Sequence, residues 1–244
     1  MGNTLDKEHP MMRIRPTTAK CFQAIQSPAL YRNFGIHLFV MFPAAMAMCW
    51  LGTQLDDALG YVAFGTTSWR LPVGGSMIAI GGCWVWYVYG YLFIAGGGSP
   101  GTHVDGGPVR LVDTGPYATI RHPSVLGKLL GVIGLGIMWG SPSFLIGFIP
   151  ILLIYAIVSN RLIQERFCHL RFGAEYATYC SKVPMLIPTP TSIARWTNDT
   201  PVLEDISSMS EHPQPEGIWH EFRWYLMGLI GLLLSFSAMV WLNS

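Results

Sequence analysis

Charge is what this chain has least of. Only 12% of its 244 residues are Asp, Glu, Lys or Arg, about half the share of an average soluble domain. With 51% apolar residues, that scarcity excludes an ordinary soluble domain and indicates an integral membrane protein. No sign of charge dominates either. A net charge of +1 gives no electrostatic reason to expect a nucleic-acid partner. The five cysteines, Cys21, Cys49, Cys83, Cys168 and Cys180, lack metal-ligand spacing, so no metal site is expected. They read as free thiols in apolar surroundings. Residues Met1 to Pro10 have no apolar core, so no cleavable signal peptide is expected. Asp6 stands where a myristoylation pattern needs Ser or Thr. There is no internal repeat.

What the chain does have is apolar runs. Five stand out against the roughly 20 residues a membrane span needs: Phe34 to Leu55, Pro72 to Ala95, Val125 to Trp139, Ser143 to Ile163, and Phe222 to Leu242. The third and fourth are joined only by Gly140-Ser141-Pro142, which forces an antiparallel helical hairpin. A 15-residue third helix would rise about 22 Å, less than the roughly 30 Å hydrocarbon core. The polar loop before it must then dip toward the bilayer, buried in protein or lining a wet cavity.

Basic residues set the expected orientation. In a five-span arrangement, Arg70 alone of the 15 Lys and Arg residues falls on one side, beside Asp56 and Asp57. The positive-inside rule then places the N-terminus and both large loops in the cytoplasm. Residues 1–33 read as an N-terminal cytoplasmic or interfacial segment. Residues 34–188 read as the membrane core, 189–220 as a cytoplasmic linker rich in Pro, Ser, Thr and acids, and 221–244 as a last transmembrane helix. Within the first of these, Thr17 to Tyr31 is mildly amphipathic and suits either an interfacial helix or a plain tail. The stretch after Thr189 could also fold over the site as a lid.

Polar groups collect at the mouths of the hairpin. Ionisable residues at a bilayer boundary need a partner, a ligand or water. Arg121-His122-Pro123 opens the third span. Pro is ordinary at a first helical position, but Arg there opposes the helix dipole and calls for a partner. Glu165, at the end of the fourth span, opposes the dipole in the same way. Arg161, Arg166, Arg121 or a cationic ligand could compensate it. Tyr176 and Tyr179 follow in a Phe-Gly-x-x-Tyr-x-x-Tyr run that suits packing as readily as catalysis. Gly127, Gly131 and Gly134 share one helix face, which admits a neighbouring helix or a ligand.

Taken together, Gly96-Gly-Gly-Ser-Pro-Gly-Thr102, Leu111-Val-x-x-Gly-Pro-Tyr117, Arg121-His-Pro-x-x-x-Gly127, Glu165, Arg171-Phe-Gly-x-x-Tyr-x-x-Tyr179 and Val183-Pro-x-x-Ile-Pro188 resemble the isoprenylcysteine carboxyl methyltransferase and phospholipid methyltransferase superfamily. The resemblance covers about residues 96–188, in order and spacing. It implies an all-α, polytopic membrane bundle of about five transmembrane helices with a cytoplasm-facing pocket for S-adenosyl-L-methionine. It also implies methyl transfer to a lipid or other membrane-accessible acceptor. By the same analogy Arg121, His122 and Glu165 serve catalysis, and Tyr117, Arg121, His122, Gly127, Glu165, Tyr176, Tyr179 and Leu186 surround the cofactor. The partners implied are membrane lipids, a small hydrophobic acceptor and a possible second copy of the chain.

Two departures stand out. Gln164-Glu165 replaces the paired acids common in the superfamily, and Ser124-Val125 replaces the Tyr or Asn-Tyr common after His-Pro. Two other readings stay open. Tyr179-Cys-x-x-Val-Pro184 and the Arg-His-Pro motif also resemble NADPH-dependent sterol-type membrane reductases, which are usually longer. A non-enzymatic membrane protein is the third reading, although no pair of broken helices in matching halves supports a transporter.

Overall fold

The computed structural model describes residues 15–24, 28–97, 108, 110–198 and 230. Among these residues every regular element is helical, with no strand. The expected fifth span, Phe222 to Leu242, and the glycine-rich stretch at 98–102 lie outside the described residues, apart from helical Ile230.

A short helix α1 (Thr18–Gln23) leads into α2 (Pro28–Leu59) and α3 (Thr67–Ala95). A one-turn helix α4 (Pro116–Thr119) precedes α5 (Pro123–Trp139). A long rod of helix, kinked at Gly173, then extends from Phe144 to Lys182. It comprises a wide turn at Phe144–Phe148, α6 (Ile149–Ser159), a second wide turn at Asn160–Gln164, and α7 (Glu165–Lys182). Helix α8 (Pro190–Asn198) follows, so the stretch expected as a linker begins with a helix. The fourth apolar run thus continues well past Ile163, where a loop was expected. α7 is polar on most of its surface and propagates the helix beyond the apolar part.

Among the described residues, two helices are long and apolar enough to cross a membrane, α3 and the rod from Phe144. Only 6% of the rod's most apolar window is buried within the molecule, against 33% for α3. Ile146, Ile151, Ile154, Tyr155, Val158, Leu162 and Ile163 all face outward. A water-exposed apolar face of that extent would be unusual in a soluble monomer. In lipid it is the ordinary exterior of a spanning helix, and it marks a membrane protein.

The tightest packing is between α3 and α5, which run antiparallel. Gly81 meets Gly127, and Gly74 meets Gly134. A Cβ at Gly127 would stand 2.7 Å from the Gly81 carbonyl oxygen, and one at Gly134 2.6 Å from that of Gly74. The glycine face expected on α5 is therefore filled by a helix, as small residues in membrane bundles permit. Gly131 differs: a Cβ there meets nothing within 4 Å.

The hairpin turn is clamped from several sides. Gly140 ends α5 in the left-handed region, φ 77°, where only glycine is at ease. Buried Asp56, from the end of α2, accepts hydrogen bonds from the Ser141 hydroxyl at 2.5 Å and the Ser143 backbone N–H at 2.8 Å. Arg70 donates to the Trp139 carbonyl at 3.1 Å. An Asp56→Ala change strands two buried donors, each worth about 1–3 kcal/mol. The expected result is a drop in thermal midpoint. Ligand affinity at the far end of α5, where Arg121 lies, should hold in the protein that remains folded.

Candidate functional site

The site is assembled where three segments meet: the turn before α5, the start of α7 and the chain leaving α7. Pro123 at the first position of α5 leaves Arg121 and His122 in non-helical backbone just outside it. There the two backbone N–H groups are free to pair elsewhere. Arg121 N–H donates to the Pro184 carbonyl at 2.9 Å and His122 N–H to the Met185 carbonyl at 3.2 Å. The Val183–Pro188 segment is thus tied directly to the Arg-His-Pro motif.

Glu165 arrives by way of the second wide turn. Its backbone N–H bonds the carbonyl of Asn160, five residues back, instead of four. Such a π-type bulge inserts one residue and rotates the helix beyond it, and these bulges are common at functional sites. Here it precedes a carboxylate that is buried while its neighbours Gln164 and Arg166 stay exposed. Glu165 Oε1 lies 2.8 Å from Arg121 Nη1 and 3.2 Å from His122 Nε2. Of the compensating groups weighed from sequence, Arg121 is the one in direct contact. Arg161 and Arg166 are exposed.

Arg121 Nη1 also donates to Cys180 Sγ at 3.1 Å. Burial works against the guanidinium charge, but the Glu165 carboxylate and Cys180 outweigh it and raise its pKa above the usual arginine value. Arg121 is a cation at every working pH. Its buried Nε has no hydrogen-bond partner, nor has the nearby Thr119 hydroxyl. An unsatisfied donor on a member of an ion pair is unusual, since buried polar groups are nearly always paired. From sequence Cys180 read only as a free thiol in apolar surroundings and as part of the Tyr179-Cys-x-x-Val-Pro184 motif; its contact with Arg121 comes from the fold.

Tyr176 and Tyr179 are buried together with Val183. They reach this place because α7 breaks at Gly173, φ 53° and ψ −124°, a backbone region closed to residues with a Cβ. The Phe-Gly-x-x-Tyr spacing is therefore a hinge with aromatics placed after it. Gly173→Ala should cost about 1–3 kcal/mol through that strain alone. A lower thermal midpoint, with weaker binding at the Arg121 end, is the expected measurement.

Other candidates lie further off. The Tyr117 ring packs on the cluster of Cys21, Tyr91, Ala95 and Val112 between α1 and α3. Burial pushes its phenol well above the usual value, so it is neutral. Its backbone carbonyl, not its ring, joins the site by accepting the Tyr179 hydroxyl at 2.8 Å. Gly127 faces Gly81 on α3, so helix packing takes up the space read from sequence as possible room for a ligand. Leu186 is half-buried one residue past Met185. Among the described residues no cluster of metal-ligating side chains occurs.

Comparison with known proteins reaches part of this site. Residues 69–173 match the family model described as phospholipid methyltransferase. The chain is 38% identical over 79 residues to a protein-S-isoprenylcysteine O-methyltransferase of Saccharomyces cerevisiae, covering 32% of each chain. It is 30% identical over 80 residues to protein-S-isoprenylcysteine O-methyltransferase B of Arabidopsis thaliana, covering 32% of this chain and 40% of that one. The matched stretch thus spans about a third to two fifths of these relatives' lengths. No solved structure matches. The family-matched stretch carries nearly all of α3, the Arg121-His122 turn, α5 and Glu165, and over it the chain is similar to the phospholipid and isoprenylcysteine methyltransferases.

Proposed function

We propose that this chain is an S-adenosyl-L-methionine-dependent methyltransferase of membranes, transferring a methyl group to a lipid or other membrane-accessible acceptor. The observation that carries the reading is the convergence of Arg121 and His122 on one buried oxygen of Glu165, inside the family-matched segment. The residues suit the cofactor. Arg121 offers a permanent cation and an unused buried N–H to a carboxylate. Glu165 offers a carboxylate to an ammonium or a ribose hydroxyl. Tyr176, Tyr179 and Leu186 enclose the site from the α7 side, with Tyr117 and Gly127 fixing its walls through backbone and helix packing.

When bound, the cofactor supplies a methyl group already activated on a sulfonium. The protein's task is then alignment rather than strong acid–base help, and alignment is worth up to roughly 7–11 kcal/mol. His122 is the group placed to take a proton from an acceptor that carries one, its ring held at 3.2 Å by Glu165. An acceptor that is already an anion needs no such step. The names of both curated relatives favour a carboxylate, and the family model favours a phospholipid.

The same reading makes the protein multi-pass, with about five spans, and places the Arg121 end at the cytoplasmic face, as the basic residues indicate. It also leaves room for a second copy of the chain. The test is incubation of membranes holding the purified protein with isotopically labelled S-adenosyl-L-methionine, followed by mass spectrometry of lipids and small metabolites. Label in a membrane-soluble acceptor is the expected result. Binding of NADPH in place of S-adenosylhomocysteine would instead assign the reductase reading.

A further inference from the structure

We propose that Trp84 and Trp196 are positioning residues for this site, coupling α8 to the turn that carries Arg121 and His122. The proposal rests on the methyltransfer reading for its functional consequence, but its geometry stands alone. α8 lies outside the family-matched segment, so its role is a matter for this chain's own contacts.

The Arg121-His122 turn is held on one side by the backbone of Pro184 and Met185. On its other side Trp84, from α3, donates its indole N–H to the Pro123 carbonyl at 2.8 Å. That bond fixes the first residue of α5, directly after His122. The same indole meets Trp196 of α8 with ring centroids 6.0 Å apart and Tyr87 at 5.9 Å.

α8 is itself well anchored. Thr189 caps it: the Ser192 hydroxyl accepts from Thr189 N–H at 2.9 Å, and Ser192 N–H donates to the Thr189 hydroxyl at 3.2 Å. Ser192 is fully buried, and the helix packs on α4. Arg195 donates to the Lys182 carbonyl at the end of α7. Ser192, Arg195 and Trp196 are spaced i, i+3, i+4, so one face of α8 makes all these contacts. Ile193 faces outward.

α8 therefore braces α4 and the end of α7, while Trp84 braces the start of α5. The Trp84–Trp196 contact joins the two braces across the turn. Glu165 Oε1 reaches both Arg121 and His122 only if that turn keeps its place. A loosened turn costs the site its pre-organisation, and misplacement by about 1 Å can cost 10²-fold in rate.

Hydrogen exchange of the ligand-free protein in detergent or nanodiscs tests this directly. The Arg121, His122 and Val125 N–H groups are all hydrogen-bonded, so their exchange reports the turn. Trp84→Phe keeps a ring and removes the N–H; Trp196→Ala removes the contact from α8. Trp84→Phe should speed exchange across residues 120–125 by about tenfold, the equivalent of one lost hydrogen bond, and Trp196→Ala, which removes the ring contact, should speed it several-fold. Exchange in α6 should stay unchanged, which separates local loosening from unfolding. Trp196→Phe, which keeps a ring, should stay at the wild-type level. Exchange at residues 120–125 equal to wild type in both Trp84→Phe and Trp196→Ala would overturn the proposal. Affinity for S-adenosylhomocysteine, measured in parallel, should fall several-fold in both variants. Failure of the wild-type protein to bind it would sink the cofactor reading and leave the exchange result to decide the positioning role.

Discussion

Glu165→Gln should weaken binding of S-adenosylhomocysteine by one to two orders of magnitude while the protein stays folded. The carboxylate makes two contacts through one oxygen, to Arg121 at 2.8 Å and His122 at 3.2 Å. A charge-assisted contact from the cofactor to this carboxylate would contribute about 1.5–3 kcal/mol, which is about 10- to 100-fold in affinity. The neutral amide still accepts a hydrogen bond, so shape and packing survive. Arg121 keeps its bond to Cys180, and its side chain is 16% exposed, so water shares the unpaired charge. The loss of stability should accordingly be small beside the loss of affinity. Arg121→Ala should act the same way on affinity. Calorimetric binding alongside thermal midpoints separates the two effects. Affinity unchanged in both variants would remove this pair from the site and leave the cofactor resting on family likeness alone.

Gly127→Ala should behave in the opposite manner, with lost stability as its primary effect. A single Cβ there would stand 2.7 Å from the Gly81 carbonyl oxygen and from Val85, and 2.8 Å from Trp84. Two of those three atoms belong to side chains that can shift, but the carbonyl cannot move without opening the α3–α5 crossing. Overpacking of this kind costs about 1–3 kcal/mol. Gly131→Ala, one turn further on the same helix, meets nothing within 4 Å and should be neutral or slightly stabilising, because Ala is the better helix former. The thermal midpoints of the two variants form an internal control. Equal midpoints would show that the close glycine crossing does not hold these helices together.

Much of the architecture was legible in the chain. Low charge and long apolar runs require membrane helices, because lipid offers no partner for an unpaired backbone group. The Gly140-Ser141-Pro142 link forced the hairpin, since so short a connection between helices allows only an antiparallel return. That return brought Glu165 back toward Arg121, and the dipole argument said that each needed a partner. Local chemistry was sufficient for those conclusions.

Other features were decided by tertiary structure. The glycines of α5 could have faced a ligand or a helix; their partners, Gly74 and Gly81, lie some fifty residues away in sequence, and only the crossing angle decides who meets whom. The wide turn before Glu165 left no mark in residue type, because inserting one residue into a helix is settled by packing on both sides. Tyr117 carries a recognisable motif, yet its ring was claimed by Tyr91 and Cys21 while its carbonyl went to Tyr179. Cys180, Trp84 and Trp196 gave no periodic signal, since each acts through one contact with a distant segment. Sequence determined the solvent this protein lives in, the turns its chain must make and the charges that need company. The fold decided which side chains those charges meet, because contacts between remote segments depend on helix rotation and crossing, which no local pattern encodes.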